Sequence, residues 1–261
     1  MSRAPALPLV YQSVTVKYGL YYTHQGMDAI IAAMDGEIAA VRAAMEHLTE
    51  RPGTAGSVAT GTLYGRPVVT ARSGVGKVMA AMCTQEIISN YQPGRIIVLG
   101  IAGALHEQLS VGDVVLGEDV LQYDLDATAL GFALGEVPYT PYRLLHCDPD
   151  MLATASLVSS TLGTVRRGRI LSGDRFVSNI AESDPELLSV LQEDLAGDVV
   201  EMEGAAIALV ATVNRIPFLI IRTISDHVTA QPTIQLKQFL RQTSQNNLRF
   251  VAALLGAAVP A

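Results

Sequence analysis

GDVVEMEGAAIALVATVN at 197–214, followed closely by PFLIIRTISD at 217–226, reads as an apolar run, a helix and a second apolar run. If the helix starts near Met202, then Met202, Ala205, Ala206, Leu209 and Val213 recur at helical spacing and form its expected buried stripe. The same rhythm runs through the chain: DAIIAAM precedes an amphipathic stretch at 36–48, RPVVTAR precedes another at 76–90, and RIIVLGI follows. Short apolar strands alternating with such stretches predict an α/β class, a sheet covered by helices on both faces. In SVATGTLYGRPVVTAR two strand-like runs meet at Tyr64-Gly65, a hairpin signal, so the sheet is expected to be mixed.

The 261 residues are 49% hydrophobic against 16% charged, which allows a large core and excludes a disordered chain. No linker-like segment divides them, so 27–261 reads as a single domain opened by a strand at Met27. Residues 1–26 read as a loose N-terminal extension to which no function is assigned. The net charge of -7 and the lack of a Lys/Arg block argue against nucleic acid or an anionic membrane surface as partner and favour a small molecule. Apolar runs such as IIVLGIAGAL fall short of the roughly 20 residues of a membrane span. The first 26 residues also lack the apolar core and cleavage site of a secretory signal, so a soluble, cytoplasmic protein is expected. Cys83 and Cys147 show no metal-ligand spacing and the five histidines are dispersed; neither a metal nor a cofactor is expected.

Ligands of open α/β sheets sit beyond the carboxyl ends of the strands. Three acids stand at such ends: Glu37 after DAIIAAM, Glu203 after AGDVVEM and Asp226 after PFLIIRTIS. Glu37 lies in the first turn of a predicted helix, whose field would keep it ionised and able to take a proton from water; plain capping by Asp35 and Glu37 fits equally well. Asp226 closes a buried strand in Ser225-Asp226-His227, where partial desolvation favours a carboxyl that donates its proton near neutrality, although a turn aspartate reads as well. Two carboxylates pushed in opposite directions make an acid/base pair. Glu201 and Glu203 are separated by about 200° of helix rotation, so if both are helical only one faces a ligand and the other is structural or capping. RSGVGKVMAA at 72–81 departs from a phosphate-binding loop at Ala71 and Val78, which leaves a tight strand-to-helix turn whose glycines permit close approach.

In order from about residue 27 to 226, AAMDGEI, SGVGKVMAA, IVLGIAGAL, VGDVV, YDLDATALGF, SGDRF, VVEMEGAAIA and IRTISD resemble the purine nucleoside phosphorylase/nucleosidase superfamily. The resemblance is strongest to the 5'-methylthioadenosine/S-adenosylhomocysteine nucleosidases. It implies a three-layer αβα sandwich with a mixed central sheet, a homodimer, an adenine nucleoside substrate and hydrolysis of the N-glycosidic bond, an activity that can serve sulfur (methionine) salvage, removal of a methylation product or formation of a quorum-signal precursor. It implies further that Asp226 protonates the purine at N7 and that Glu37 orients and deprotonates the attacking water. Glu203 would bind the ribose hydroxyls with Met202 against the sugar, Phe176 would stack on adenine, and the Val177 backbone would read the base edge. Met34, Ile101, Ala102 and Ser225 complete the implied substrate-binding set. Ala127, Leu130 and Pro138 would reach into the partner subunit's site and line its 5'-thio pocket. Glu201 is expected to be structural, and Arg222 can serve as an internal salt-bridge partner.

Members commonly have Ser where Ile101 stands, Gly at Ala104, an aromatic residue at Leu130 and a small one at Arg175. The first departure removes a hydroxyl beside the sugar, and those at Leu130 and Arg175 bear on the 5' end. A phosphorylase of the same fold would need a cationic anion site and a hydroxyl; Ile101 supplies no hydroxyl, and Arg72 is the candidate cation. A silent nucleoside-binding relative would need neither acid nor base. A hydrophobic pocket separates 5' groups differing by one methylene by only about 1–3 kcal/mol, so overlapping activities on methylthioadenosine, adenosylhomocysteine, 5'-deoxyadenosine and aminodeoxyfutalosine are expected.

Overall fold

The structure is a computed structural model and describes residues 26–229 and 236–260. The expected loose extension at 1–26 lies, apart from Gly26, outside the described residues. β1 (Asp28–Ala32) leads to α1 (Asp35–Ala44), after which β2 (Glu46–Pro52), β3 (Ser57–Leu63) and β4 (Arg66–Arg72) lead to α2 (Lys77–Tyr91) and β5 (Arg95–Ala104). Next come β6 (Val114–Gln122), β7 (Leu145–His146), α3 (Pro149–Ala155) and β8 (Val165–Ser172). The short α4 (Ile180–Ser183) and α5 (Pro185–Ser189), β9 (Val199–Glu201), α6 (Gly204–Val213), β10 (Phe218–His227) and the long α7 (Leu236–Leu254) complete the chain.

The sheet runs β10-β6-β8-β9-β5-β1-β4-β3-β2, and β10 also pairs with β5, so one end of the sheet closes into a ring of five strands. β1 lies parallel to both β4 and β5, and β10 is parallel to β5. β3–β4, β5–β9 and β6–β10 are antiparallel, which makes the sheet mixed, as expected. Strands buried on both faces carry unbroken apolar runs. Ile96, Ile97 and Leu99 of β5 and Leu219, Ile220 and Ile221 of β10 are fully buried, each stabilising the fold by about 1.5–3 kcal/mol. These two neighbouring strands are therefore a rigid base for what stands at their ends. Helices pack in pairs against the sheet, α1 on α7 beside β1 and β5, and α2 on α6 beside β4, β6 and β8.

The hairpin signal at Tyr64-Gly65 is realised: both residues have positive φ, 51° and 75°, the turn that matches strand twist in a two-residue hairpin. Two boundaries differ from expectation. The amphipathic stretch at 36–48 is helical only to Ala44; Glu46 begins β2, drawn into extended pairing by β3. Helix α6 begins at Gly204, and its buried residues are Gly204, Ala205, Ala206, Ile207, Ala208 and Ala211, whereas Val213 is 55% exposed. The shift arises because α6 is wedged between α2 and β6–β8, and such close approach selects small residues over the longer apolar stripe. At the end of β10 the register against β5 slips between Ile224 and Asp226, so Ser225 is an extra residue, a β-bulge.

Candidate active site

A cavity of about 290 Å³ opens where the strand ends meet. Its walls include Met34 and Glu37 at the start of α1, Ile101 and Ala102 of β5, Phe176 and Val177 after β8, Met202 and Glu203 after β9, and Ser225 and Asp226 of β10. All the residues expected to form the subunit's own site are thus brought together. Ala127, Leu130 and Pro138 are not among its walls; they lie on the excursion between β6 and β7, with Leu130 70% exposed. The sequence reading missed Ala33, Val75, Gly103, Val200 and Leu236 as wall residues, and Arg175 and the structural Glu201 line the cavity as well. Val75 had a signal, since it sits in the glycine-rich turn; Leu236 had none, because it opens a helix remote from every motif.

Glu37 is at the third position of α1 and 2% exposed. Its Oε2 accepts from the Met34 N–H at 2.8 Å and its Oε1 from the Ile101 N–H at 3.0 Å. The contact at Ile101 is made by the backbone, so the departure there changes the cavity wall and leaves the hydrogen bond to Glu37 intact. Burial raises the Glu37 pKa, outweighing the opposing Arg222 charge and the N–H donors of Met34, Ile101 and Ala33. Burial thus works against the ionised form that the helix terminus was expected to favour, because that field is a surface-scale effect and the residue is 2% exposed.

Glu201 and Glu203 divide their roles, and neither is helical: Glu201 ends β9 and Glu203 is the cap residue before α6. Glu201 accepts from the N–H groups of Gly204, at 2.9 and 2.8 Å, and of Glu203, at 3.2 Å, so it caps the helix. It also accepts from Ser172 Oγ and from Nε and Nη2 of Arg222, a fully buried ion pair. Glu201 is structural, as expected, and Arg222 is its salt-bridge partner. Glu203 instead accepts the Gly76 N–H at 2.8 Å from the glycine-rich turn. Its pKa is pushed up to about 7, first by burial and then by the Glu201 charge, with Arg222 and the Gly76 N–H opposing and Glu37 adding to the rise. Arg222 Nη1 is buried with no hydrogen-bond partner among the described residues, and a Cβ added at Gly100 would collide with it and stand 3.1 Å from Glu37 Oε1.

Asp226 Oδ1 accepts from Ser225 Oγ at 2.5 Å, while Oδ2 is buried without a partner among the described residues. Phe176 flanks the cavity with 66% of its surface exposed, and Val177 is buried beside it. Among the described residues no group of three or more His, Cys, Asp or Glu could hold a metal ion. Cys83 and Cys147 are free and buried, and burial pushes both thiols up to about 12, away from any nucleophilic role.

The phosphorylase superfamily model matches residues 28–256. The 5'-methylthioadenosine/S-adenosylhomocysteine nucleosidase of Staphylococcus aureus (strain bovine RF122 / ET3-1) is 34% identical over 229 residues, which are 88% of this chain and 99% of the relative. Among solved structures, the nucleosidase of the same name from Neisseria meningitidis, in complex with methylthio-immucillin-A, aligns with a TM-score of 0.80 at 34% identity, covering 88% of this chain and 98% of that one. The S. pneumoniae enzyme with the transition-state inhibitor MT-ImmA aligns with a TM-score of 0.79 at 31% identity, covering 88% and 99%. Likeness of this extent, in sequence and in fold alike, has one meaning: the chain belongs to the phosphorylase superfamily, in the family of the 5'-methylthioadenosine/S-adenosylhomocysteine nucleosidases.

Proposed function

We propose that this protein hydrolyses the N-glycosidic bond of 5'-methylthioadenosine and S-adenosylhomocysteine, releasing adenine and 5-methylthioribose or S-ribosylhomocysteine. The observation that carries the reading is the meeting of Glu37, Glu203 and Asp226 in one cavity beside Phe176 and Val177; the relatives' named activities support it. Asp226, through its unpartnered Oδ2, protonates N7 and makes adenine a better leaving group. As the bond stretches, positive charge grows on the sugar, and the carboxylate of Glu203, accepting the ribose hydroxyls, stabilises it where the transition state needs it. Met34, Met202, Ile101, Ala102 and Ser225 shape the walls, Phe176 stacks on the base and the Val177 backbone reads its edge.

The attacking water sits in the cavity against Glu37, which orients it and takes its proton as the oxygen attacks the sugar carbon. A base is most effective when its pKa approaches the working pH, so the burial that raises Glu37 strengthens this step. A phosphorylase is disfavoured because phosphate would enter among carboxylates. Arg72, the candidate cation, does not line the cavity and pairs with Asp35 at 3.4 Å.

The protein acts as a homodimer in this reading, with Ala127, Leu130 and Pro138 completing the partner's 5' pocket. Leu130 and Tyr139, Val75 in the turn before α2, and Val78 and Met82 on α2 are exposed apolar side chains that a partner subunit would cover. We place it in the cytoplasm, in methionine salvage; two buried free thiols suit a reducing compartment, and no helix among the described residues is long and apolar enough to cross a membrane. The test is adenine release from both nucleosides with and without phosphate. Equal rates are expected. Release only with phosphate would establish a phosphorylase, and no release with retained adenine binding would establish a silent binder.

A further inference from the structure

The lysine of the glycine-rich turn has no part in the reaction above, yet its surroundings are specific. Lys77 is the first residue of α2, where a cation opposes the helix dipole and is unfavourable unless something compensates it. Its backbone N–H donates to Asp174 Oδ1 at 2.8 Å, the Asp174 N–H donates to Asp124 Oδ2 at 2.8 Å, and the Lys77 ammonium returns to Asp124 Oδ1 at 2.5 Å. The bonds close a triangle among three segments: the turn before α2, the segment after β6 and the segment after β8. Its ion pair is shielded, with Lys77 and Asp124 side chains only 16% and 29% exposed.

We infer that Lys77, with Asp124 and Asp174, is a positioning residue that holds the glycine-rich turn in place so that the Gly76 N–H fixes the carboxylate of Glu203 against the substrate ribose. Gly76 has a φ of 95°, and a Cβ there would stand 3.1 Å from Asp174 Oδ1, so the turn accommodates the triangle only as glycine. Its N–H is the donor that orients Glu203, one residue before Lys77. The ammonium is committed to Asp124.

The inference rests on the hydrolytic reading above. The experiment measures adenine release from 5'-methylthioadenosine by the wild type, Lys77→Met, Lys77→Arg, Glu203→Ala and the double variant Lys77→Met/Glu203→Ala. Methionine keeps the aliphatic length and removes the charge. Lys77→Met should lose about 10- to 100-fold in kcat/KM, the scale on which small misplacements of positioned groups act, with the thermal midpoint within about 3 °C of wild type. Lys77→Arg should recover most of the loss. In the Glu203→Ala background the same lysine change should cost less than about twofold, because the group it positions is gone. Normal turnover in Lys77→Met, an undiminished loss in the Glu203→Ala background, or a loss that tracks a fallen thermal midpoint would each overturn the inference. A wild type that releases no adenine would overturn the proposed reaction first, and this role with it.

Discussion

Replacing Gly100 by alanine adds one methyl group to the centre of β5, at the point where Arg222 and Glu37 converge. The Gly100 backbone is not in the left-handed region, so the effect is purely steric. The new Cβ would overlap Arg222 Nη1, stand 2.9 Å from Cζ of the same guanidinium and 3.1 Å from Glu37 Oε1. Arg222 is 2% exposed and held by Glu201, so it has no free volume to retreat into. Overpacking alone costs about 1–3 kcal/mol, and breaking the buried ion pair would cost about 3–5 kcal/mol. A loss of about 3 kcal/mol is expected, which for a chain of this size lowers the thermal midpoint by about 6–12 °C. Glu37 is displaced by the same methyl, and kcat should fall by about 100-fold below the temperature of unfolding. Circular dichroism melting and steady-state adenine release read the two effects separately. A variant with wild-type midpoint and turnover would refute the crowding; a lowered midpoint with unchanged kcat would detach Glu37 from the chemistry.

Asp226→Asn should lower kcat by about 10²–10⁴-fold, the range of a general acid, while adenine affinity by isothermal titration stays within a few-fold; near-normal turnover would remove Asp226 as the acid. Glu203 has a folded pKa raised from 4.5 to about 7, so between those values the folded state binds a proton that the unfolded state releases, and stability falls as pH rises through that window. Glu203→Gln abolishes this slope: its thermal midpoint should gain on wild type at pH 8 relative to pH 5, and parallel midpoint curves would contradict the raised pKa. Leu130→Asp should shift the sedimentation profile from dimer to monomer and weaken binding of 5'-thio nucleosides more than binding of adenine; an unchanged dimer would exclude Leu130 from the interface.

What was legible from the sequence is what is local. Glu37, Glu203 and Asp226 each end an apolar run, and the rule that ligands lie beyond strand ends was enough to direct all three toward one cavity. The Tyr64-Gly65 hairpin was legible for the same reason, since two adjacent residues specify the turn. The separate duties of Glu201 and Glu203 were anticipated, but for a different reason: they stand on either side of a strand-to-helix junction, not on one helix. The upward push on the Glu37 pKa was not legible because its burial comes from β5 and α7, elements far along the chain; Asn247 of α7 donates to the Glu37 backbone carbonyl at 3.1 Å. The closing of β10 onto β5, the wall residue Leu236 and the backbone contact from Ile101 likewise depend on long-range pairing that no local pattern encodes.

The bulge at the end of β10 has a bearing on how the acid's surroundings could be retuned. Consecutive residues of a regular strand point to opposite faces, yet Ser225 and Asp226 both reach the cavity and bond to each other. The hydroxyl that attends the acid is therefore supplied by its immediate chain neighbour, through an irregularity one residue long, and owes nothing to a distant loop. What Asp226 Oδ1 meets can then change by substitution at a single position, Ser225. Deleting that residue would remove the bulge and the hydroxyl together, and Asp226 Oδ1 would lose the partner that its neighbour supplies.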